Sequence, residues 1–77
     1  MAYVVMPDLG EGIETATVVL WHVKIGERVT ADQDIVEMVT DKATFHVPAG
    51  YSGKITKILA QQGEEVKIGA PLASILS

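Results

Sequence analysis

Gly26-Glu27-Arg28-Val29 returns 37 residues later as Gly63-Glu64-Glu65-Val66, and the reading of that pair decides the fold. Extended outward, the same offset lays residues 13–39 on residues 50–76. Apolar residues then meet apolar residues at Val18/Ile55, Trp21/Ile58, Val23/Ala60, Ile35/Leu72, Val36/Ala73 and Met38/Ile75. A more conspicuous repeat, Val-Lys-Ile-Gly at 23 and again at 66, has flanks that do not match. Two similar halves imply two interlocked sheets related by an approximate twofold axis, a β-sandwich or flattened barrel whose core neither half could enclose alone. Met6-Pro7 aligns with Val47-Pro48 at an offset of 41, so the loop Asp8-Leu9-Gly10-Glu11-Gly12-Ile13-Glu14-Thr15 reads as a four-residue insertion on this frame.

The composition agrees with an all-β chain. Val, Ile and Thr supply 23 of the 77 residues, and apolar runs at helical spacing longer than two turns are hard to find. Glycines and prolines punctuate eight short strands, placed near 3–6, 16–22, 28–30, 34–40, 43–48, 53–60, 66–68 and 72–76. A length of 77 residues allows a single small domain, with little room for an enzyme pocket. With no cysteine there is neither a thiol nucleophile, nor a redox Cys-x-x-Cys, nor a thiolate zinc knuckle. A net charge of −4 with scattered lysines argues against nucleic acid, and no apolar run approaches a membrane span. No segment reads as a targeting signal, and a monomer is expected.

Residues 34–48 read as a hairpin. With a turn at Asp41-Lys42, Met38 faces Phe45 and Val36 faces Val47 on the buried side, while Glu37 meets His46 and Val39 meets Thr44 on the wet side. The turn lacks the Gly or Asn that a primed two-residue loop prefers, so a type I turn over Thr40-Asp41-Lys42-Ala43 is expected. Lys42 then stands at the apex of a stiff arm. An exposed turn lysine is ordinarily a solvated charge. This one sits where the twofold relation puts the counterpart of the open chain ends, so the termini should lie at the opposite end of the molecule. That arrangement presents one side chain for modification and leaves the other end for tethering.

Met6-Pro7-Asp8-Leu9-Gly10-Glu11-Gly12-Ile13, Gly26-Glu27-Arg28-Val29, Asp32-Gln33, Thr40-Asp41-Lys42-Ala43, Val47-Pro48, Gly53-Lys54-Ile55, Gly63-Glu64-Glu65-Val66 and Gly69-Ala70-Pro71-Leu72 together resemble the lipoyl domain of a 2-oxo acid dehydrogenase acyltransferase (E2) component. The resemblance covers the whole chain, 1–77, as one domain cut from a longer acyltransferase. It implies a barrel-sandwich hybrid, a flattened barrel of two four-stranded sheets with quasi-twofold symmetry. It also implies lipoic acid in amide linkage on Lys42, with Thr40, Asp41 and Ala43, and Glu37 and Val39 beside them, read by a lipoate-attaching enzyme. Such a domain is a swinging-arm carrier rather than a catalyst. Its lipoyl group accepts an acyl group from the thiamin-dependent decarboxylase (E1) and delivers it to the acyltransferase's catalytic domain for transfer to coenzyme A. Dihydrolipoyl dehydrogenase (E3) then reoxidises it. The loop Asp8, Leu9, Gly10, Glu11, Gly12, Ile13, Glu14 is implied to contribute to recognition by the decarboxylase, and it should emerge beside the Lys42 turn. Such a protein works in the cytoplasm of a prokaryote or in the mitochondrial matrix.

Two alternatives stay open. Biotin carriers share the frame but flank their lysine with methionines, where Lys42 has Asp41 and Ala43. Unmodified lipoyl-like interaction modules lack an acceptor lysine in a tight hairpin. The chain departs from the lipoyl pattern at Val39, where an acidic residue is common, and at His46 and Gly50, where Glu and Pro are frequent. Trp21 is expected in the core because it aligns with Ile58. A lone His22 without a second ligand is read as no metal site.

Overall fold

The computed structural model describes residues 1–10 and 12–77. It contains β1 (Ala2–Val5), β2 (Thr15–Trp21), β3 (Arg28–Val29), β4 (Asp34–Val39), β5 (Thr44–Pro48), β6 (Gly53–Ile58), β7 (Glu65–Lys67) and β8 (Pro71–Leu76). Each lies within two residues of a segment expected from the sequence, and the described residues contain no helix. The strands form two antiparallel four-stranded sheets, in the orders β1-β8-β6-β3 and β5-β4-β2-β7. Exchanging β1 with β5, β2 with β6, β3 with β7 and β4 with β8 turns one order into the other. Each half of the chain contributes two strands to each sheet, which is the interlocking the repeat implies.

The twofold relation holds bond by bond. His22 N–H donates to the Ile35 carbonyl at 2.8 Å, and Leu59 N–H to the Leu72 carbonyl at 2.8 Å. Gly26 N–H donates to Ile55 and Gly63 N–H to Val18, both at 2.7 Å, each glycine at a φ near +90° that a side chain would strain. The β2–β4 and β6–β8 ladders shift register at equivalent places, after Val18 and after Ile55. Five of the six apolar pairs read from the sequence are buried on both sides; Trp21 and Ile58 are both half-buried against the core. The indole N–H of Trp21 donates to the Ala60 carbonyl at 2.8 Å, so this residue caps the core edge instead of filling its centre.

One correspondence needs correcting. Ile75 is the counterpart of Met38, and these two pair with Ala2 and Phe45 respectively. The first strand therefore matches the fifth at an offset of 43, not 41. Val4 and Val47 are then equivalent buried residues, as are Met6 and Ala49. Met6 N–H donates to Ala70 and Ala49 N–H to Gln33, both at 2.9 Å, and Gln33 and Ala70 are themselves equivalent. The loop after β1 consequently carries six extra residues instead of four.

The register also fixes the two ends. Beyond β1, Met6 N–H reaches Ala70, Ile68 N–H reaches Glu14, and Thr17 pairs with Val39 at the top of β4. These links carry the end of β1 to the 40–43 turn. Both termini lie at the other end of β1 and β8, where Ala2 faces Ile75, in a molecule 33 Å long and 20 by 17 Å across.

Candidate functional site

The arm that carries Lys42 is stiff for a reason written in its alternation. Val36, Met38 and Val47 point inward and are buried, and β4 is clamped between β5 and β2. The pairs Val36–Val47, Glu37–His46, Met38–Phe45 and Val39–Thr44 are those expected. The turn itself differs from a simple type I turn. The Thr40 hydroxyl accepts from the Lys42 N–H at 3.2 Å and from the Ala43 N–H at 3.1 Å, and lies 3.2 Å from the Ala43 carbonyl, to which it donates. The Thr40 N–H donates to the same carbonyl at 2.8 Å. One side chain thus takes two backbone N–H groups of the tip, a Ser/Thr turn inside the main-chain closure from Thr40 to Ala43. Asp41, Lys42 and Ala43 are left exposed, and among the described residues Lys42 enters no ion pair.

Beside the tip lies an open groove of about 460 Å³. Val39, Thr40, Asp41 and Lys42 form one wall, and Gly12, Ile13 and Glu14 form another. The β1–β2 loop therefore emerges next to the lysine, as its direction in the chain required. The loop divides in two. Asp8 Oδ1 accepts the Gly10 N–H at 2.9 Å, Leu9 packs against the core, and the Gly10 carbonyl accepts the Ile13 N–H at 3.1 Å. These residues build the base of the loop, while Gly12 to Glu14 face the groove. Glu11 lies outside the described residues.

Sequence reasoning missed Glu65. It lines the same groove, accepts a bond from the Thr15 hydroxyl at 3.3 Å, and pairs with Thr17 across β2 and β7. The available signal was the departure from symmetry in Gly26-Glu27-Arg28 against Gly63-Glu64-Glu65, where a cation in one half becomes an anion in the other. With Glu14 and Asp41 it gives the lysine an acidic surround. Glu37, grouped with the turn from its sequence position, does not line the groove. Its carboxylate is turned to the outer face of the sheet, 3.3 Å from His46 Nε2. His22 is not alone either: its ring stacks on that of His46, with centroids 5.4 Å apart.

An exposed lysine thus stands on a tight hairpin at one pole of a pseudo-twofold sandwich, with residues 1 and 77 at the other. The family model described as "Biotin-requiring enzyme" matches residues 2–75. The chain is 41% identical over 70 residues to the lipoamide acyltransferase component of the branched-chain alpha-keto acid dehydrogenase complex of Pseudomonas putida, covering 91% of this chain and 16% of that protein. It is 41% identical, again over 91% of its length, to the succinyltransferase component of the 2-oxoglutarate dehydrogenase complex of Bartonella vinsonii subsp. berkhoffii, of which it covers 17%. Against the acetyltransferase component of the pyruvate dehydrogenase complex of Mycobacterium bovis the figures are 39% identity, 94% of this chain and 13% of that one. The solved lipoyl domain of the 2-oxoglutarate dehydrogenase complex of Azotobacter vinelandii superposes with a TM-score of 0.75 at 35% identity, covering 99% of this chain and 98% of that one. The chain belongs to the biotinyl/lipoyl domain family, as a lipoyl domain of the acyltransferase type. It spans less than a fifth of the length of these acyltransferases.

Proposed function

We propose that this domain is a swinging-arm carrier whose Lys42 bears lipoic acid in amide linkage, within the acyltransferase of a 2-oxo acid dehydrogenase complex. The observation that carries the reading is the tip itself. Lys42 is exposed, without an ion pair among the described residues, on a turn whose backbone is held by Thr40 and whose flank opens on a groove. When attached, the lipoyl group supplies a strained cyclic disulfide that takes up and hands on an acyl group.

The chain's own residues do two things. The β4–β5 arm holds the Lys42 Cα at a defined point, so that the attaching enzyme finds its target by position. That enzyme must also take a proton from the ammonium, since only a neutral amine can form the amide. The acidic groove of Glu14, Asp41 and Glu65 faces whatever docks over the lysine, and it suits a basic rim on the thiamin-dependent decarboxylase. Tethering raises the effective concentration of the lipoyl group at three sites in turn: the decarboxylase, the acyltransferase core and dihydrolipoyl dehydrogenase.

Intact mass after incubation with lipoate, ATP and a lipoate–protein ligase tests the assignment. One lipoyl amide is expected on the wild-type chain and none on Lys42→Ala, whose exposed side chain carries no packing. Persistence of the adduct in the mutant would sink the proposal. Modification by biotin and a biotin ligase, with none by lipoate, would move the domain to the biotin carriers that share its family.

A further inference from the structure

The outer face of the β5-β4-β2-β7 sheet holds a side-chain cluster that the carrier function does not use. Glu37 and His46 are direct cross-strand partners on β4 and β5, and His22 follows the end of β2 with its N–H fixed to the Ile35 carbonyl at 2.8 Å. One ligand atom from each of His22, Glu37 and His46 lies within 4.8 Å of the other two. The Glu37 Oε1 to His46 Nε2 separation is 3.3 Å. Bonds of about 2.0–2.1 Å to a tetrahedral zinc ion put neighbouring ligand atoms roughly 3.3 Å apart. Two of the three donors already stand at that spacing, and the third, an exposed imidazole, has only to turn about its own side-chain bonds.

We infer that His22, Glu37 and His46 form a surface site for a zinc-class divalent cation, with two imidazole nitrogens and one carboxylate oxygen as protein ligands. The donor set is borderline in softness and suits zinc over magnesium, which favours oxygen ligands and keeps its waters. Three protein donors leave a fourth position for water or an outside ligand. Glu37 and His46 come from adjoining strands and His22 is bonded to β4 directly after β2, so the backbone is organised before the ion arrives, and binding ties the end of β2 to β4 and β5 across their outer face.

The pseudo-twofold axis supplies an internal comparison. The equivalent platform on the other sheet has the same backbone bonds, Leu59 N–H to Leu72 and Tyr3 paired with Ser74, but carries Leu59, Ser74 and Tyr3 in place of His22, Glu37 and His46. The frame therefore provides a three-residue platform twice, and only one bears metal-binding side chains. The site is independent of lipoylation, because none of its residues lines the Lys42 groove.

Calorimetric titration of the untagged, unlipoylated chain with Zn²⁺ alone, followed in parallel by NMR of the imidazole protons, tests the site. One ion per chain is expected, with the His22 and His46 resonances moving together and no response to Mg²⁺. His22→Ala and His46→Ala, both on exposed positions, should each weaken binding by about tenfold or more, since removal of even an outer-shell partner brings a loss of that order. Circular dichroism of the two variants verifies that the sheets persist. No uptake of Zn²⁺ by the wild-type chain, or uptake that either variant leaves undiminished, overturns the proposal.

Discussion

Thr40 is the residue on which the geometry of the tip depends. Its hydroxyl takes both the Lys42 and the Ala43 N–H, bonds that a main-chain turn would distribute elsewhere. Replacement by Val keeps the shape and removes both, at a cost of about 0.5–1.5 kcal/mol for each bond lost at most, less where water substitutes. Thr40→Val should therefore speed hydrogen exchange at the Lys42 and Ala43 amides and slow lipoylation, while Thr40→Ser restores protection. Unchanged exchange in Thr40→Val would show that the hydroxyl is a bystander. The position of Lys42 at a turn was legible in the sequence, because the flanking apolar alternation admits one hairpin register. The hydroxyl's role was not, because Thr is equally at home in a strand and no pattern of spacing says where its oxygen points.

At the scale of elements, the loop between β1 and β2 is what the first half of the pseudo-symmetric frame has and the second lacks. Its base is held by Asp8, Leu9 and Gly10, and its Gly12–Glu14 segment faces the lysine. Replacing Gly10 to Glu14 by a short turn should leave lipoylation intact and slow reductive acylation by the decarboxylase. Equal acylation rates in the two proteins would remove the loop from recognition. This insertion is two residues longer than the alignment of Pro7 with Pro48 implies, and the reason is physical. Offsets of 41 and 43 differ by one full period of the pleat, so both keep the inward and outward faces of β1 in agreement with those of β5. The coincidence of two prolines, Pro7 and Pro48, favoured the wrong one. Only the pairing of Ala2 with Ile75 and of Phe45 with Met38 separates them.

For the whole molecule, the interlocking of the halves makes stability a joint property. The first half lends β1 and β3 to one sheet and β2 and β4 to the other, and β2 finds β7 only in the second half. Residues fully buried at the centre, among them Ile35, Met38, Leu72 and Ile75, come from both halves. Chains of residues 1–40 and 41–77 should each be unstructured by circular dichroism when alone, and an equimolar mixture should regain β-structure. A folded half by itself would contradict the shared core.

The division between what the chain spells out and what folding adds follows from the range of the forces involved. Strand positions, the twofold repeat, the hairpin register and the exposure of Lys42 rest on alternation and turn chemistry over a few residues, and they were determined by the sequence alone. The placement of Glu65 against the lysine groove joins residues more than twenty positions apart, and that of His22 beside Glu37 and His46 joins the residue after β2 to the middles of β4 and β5. Neither has a signature in spacing, because sheet order, not sequence order, decides which side chains share a face. That order is set by the burial of one common core, which exists only once both sheets have closed on it.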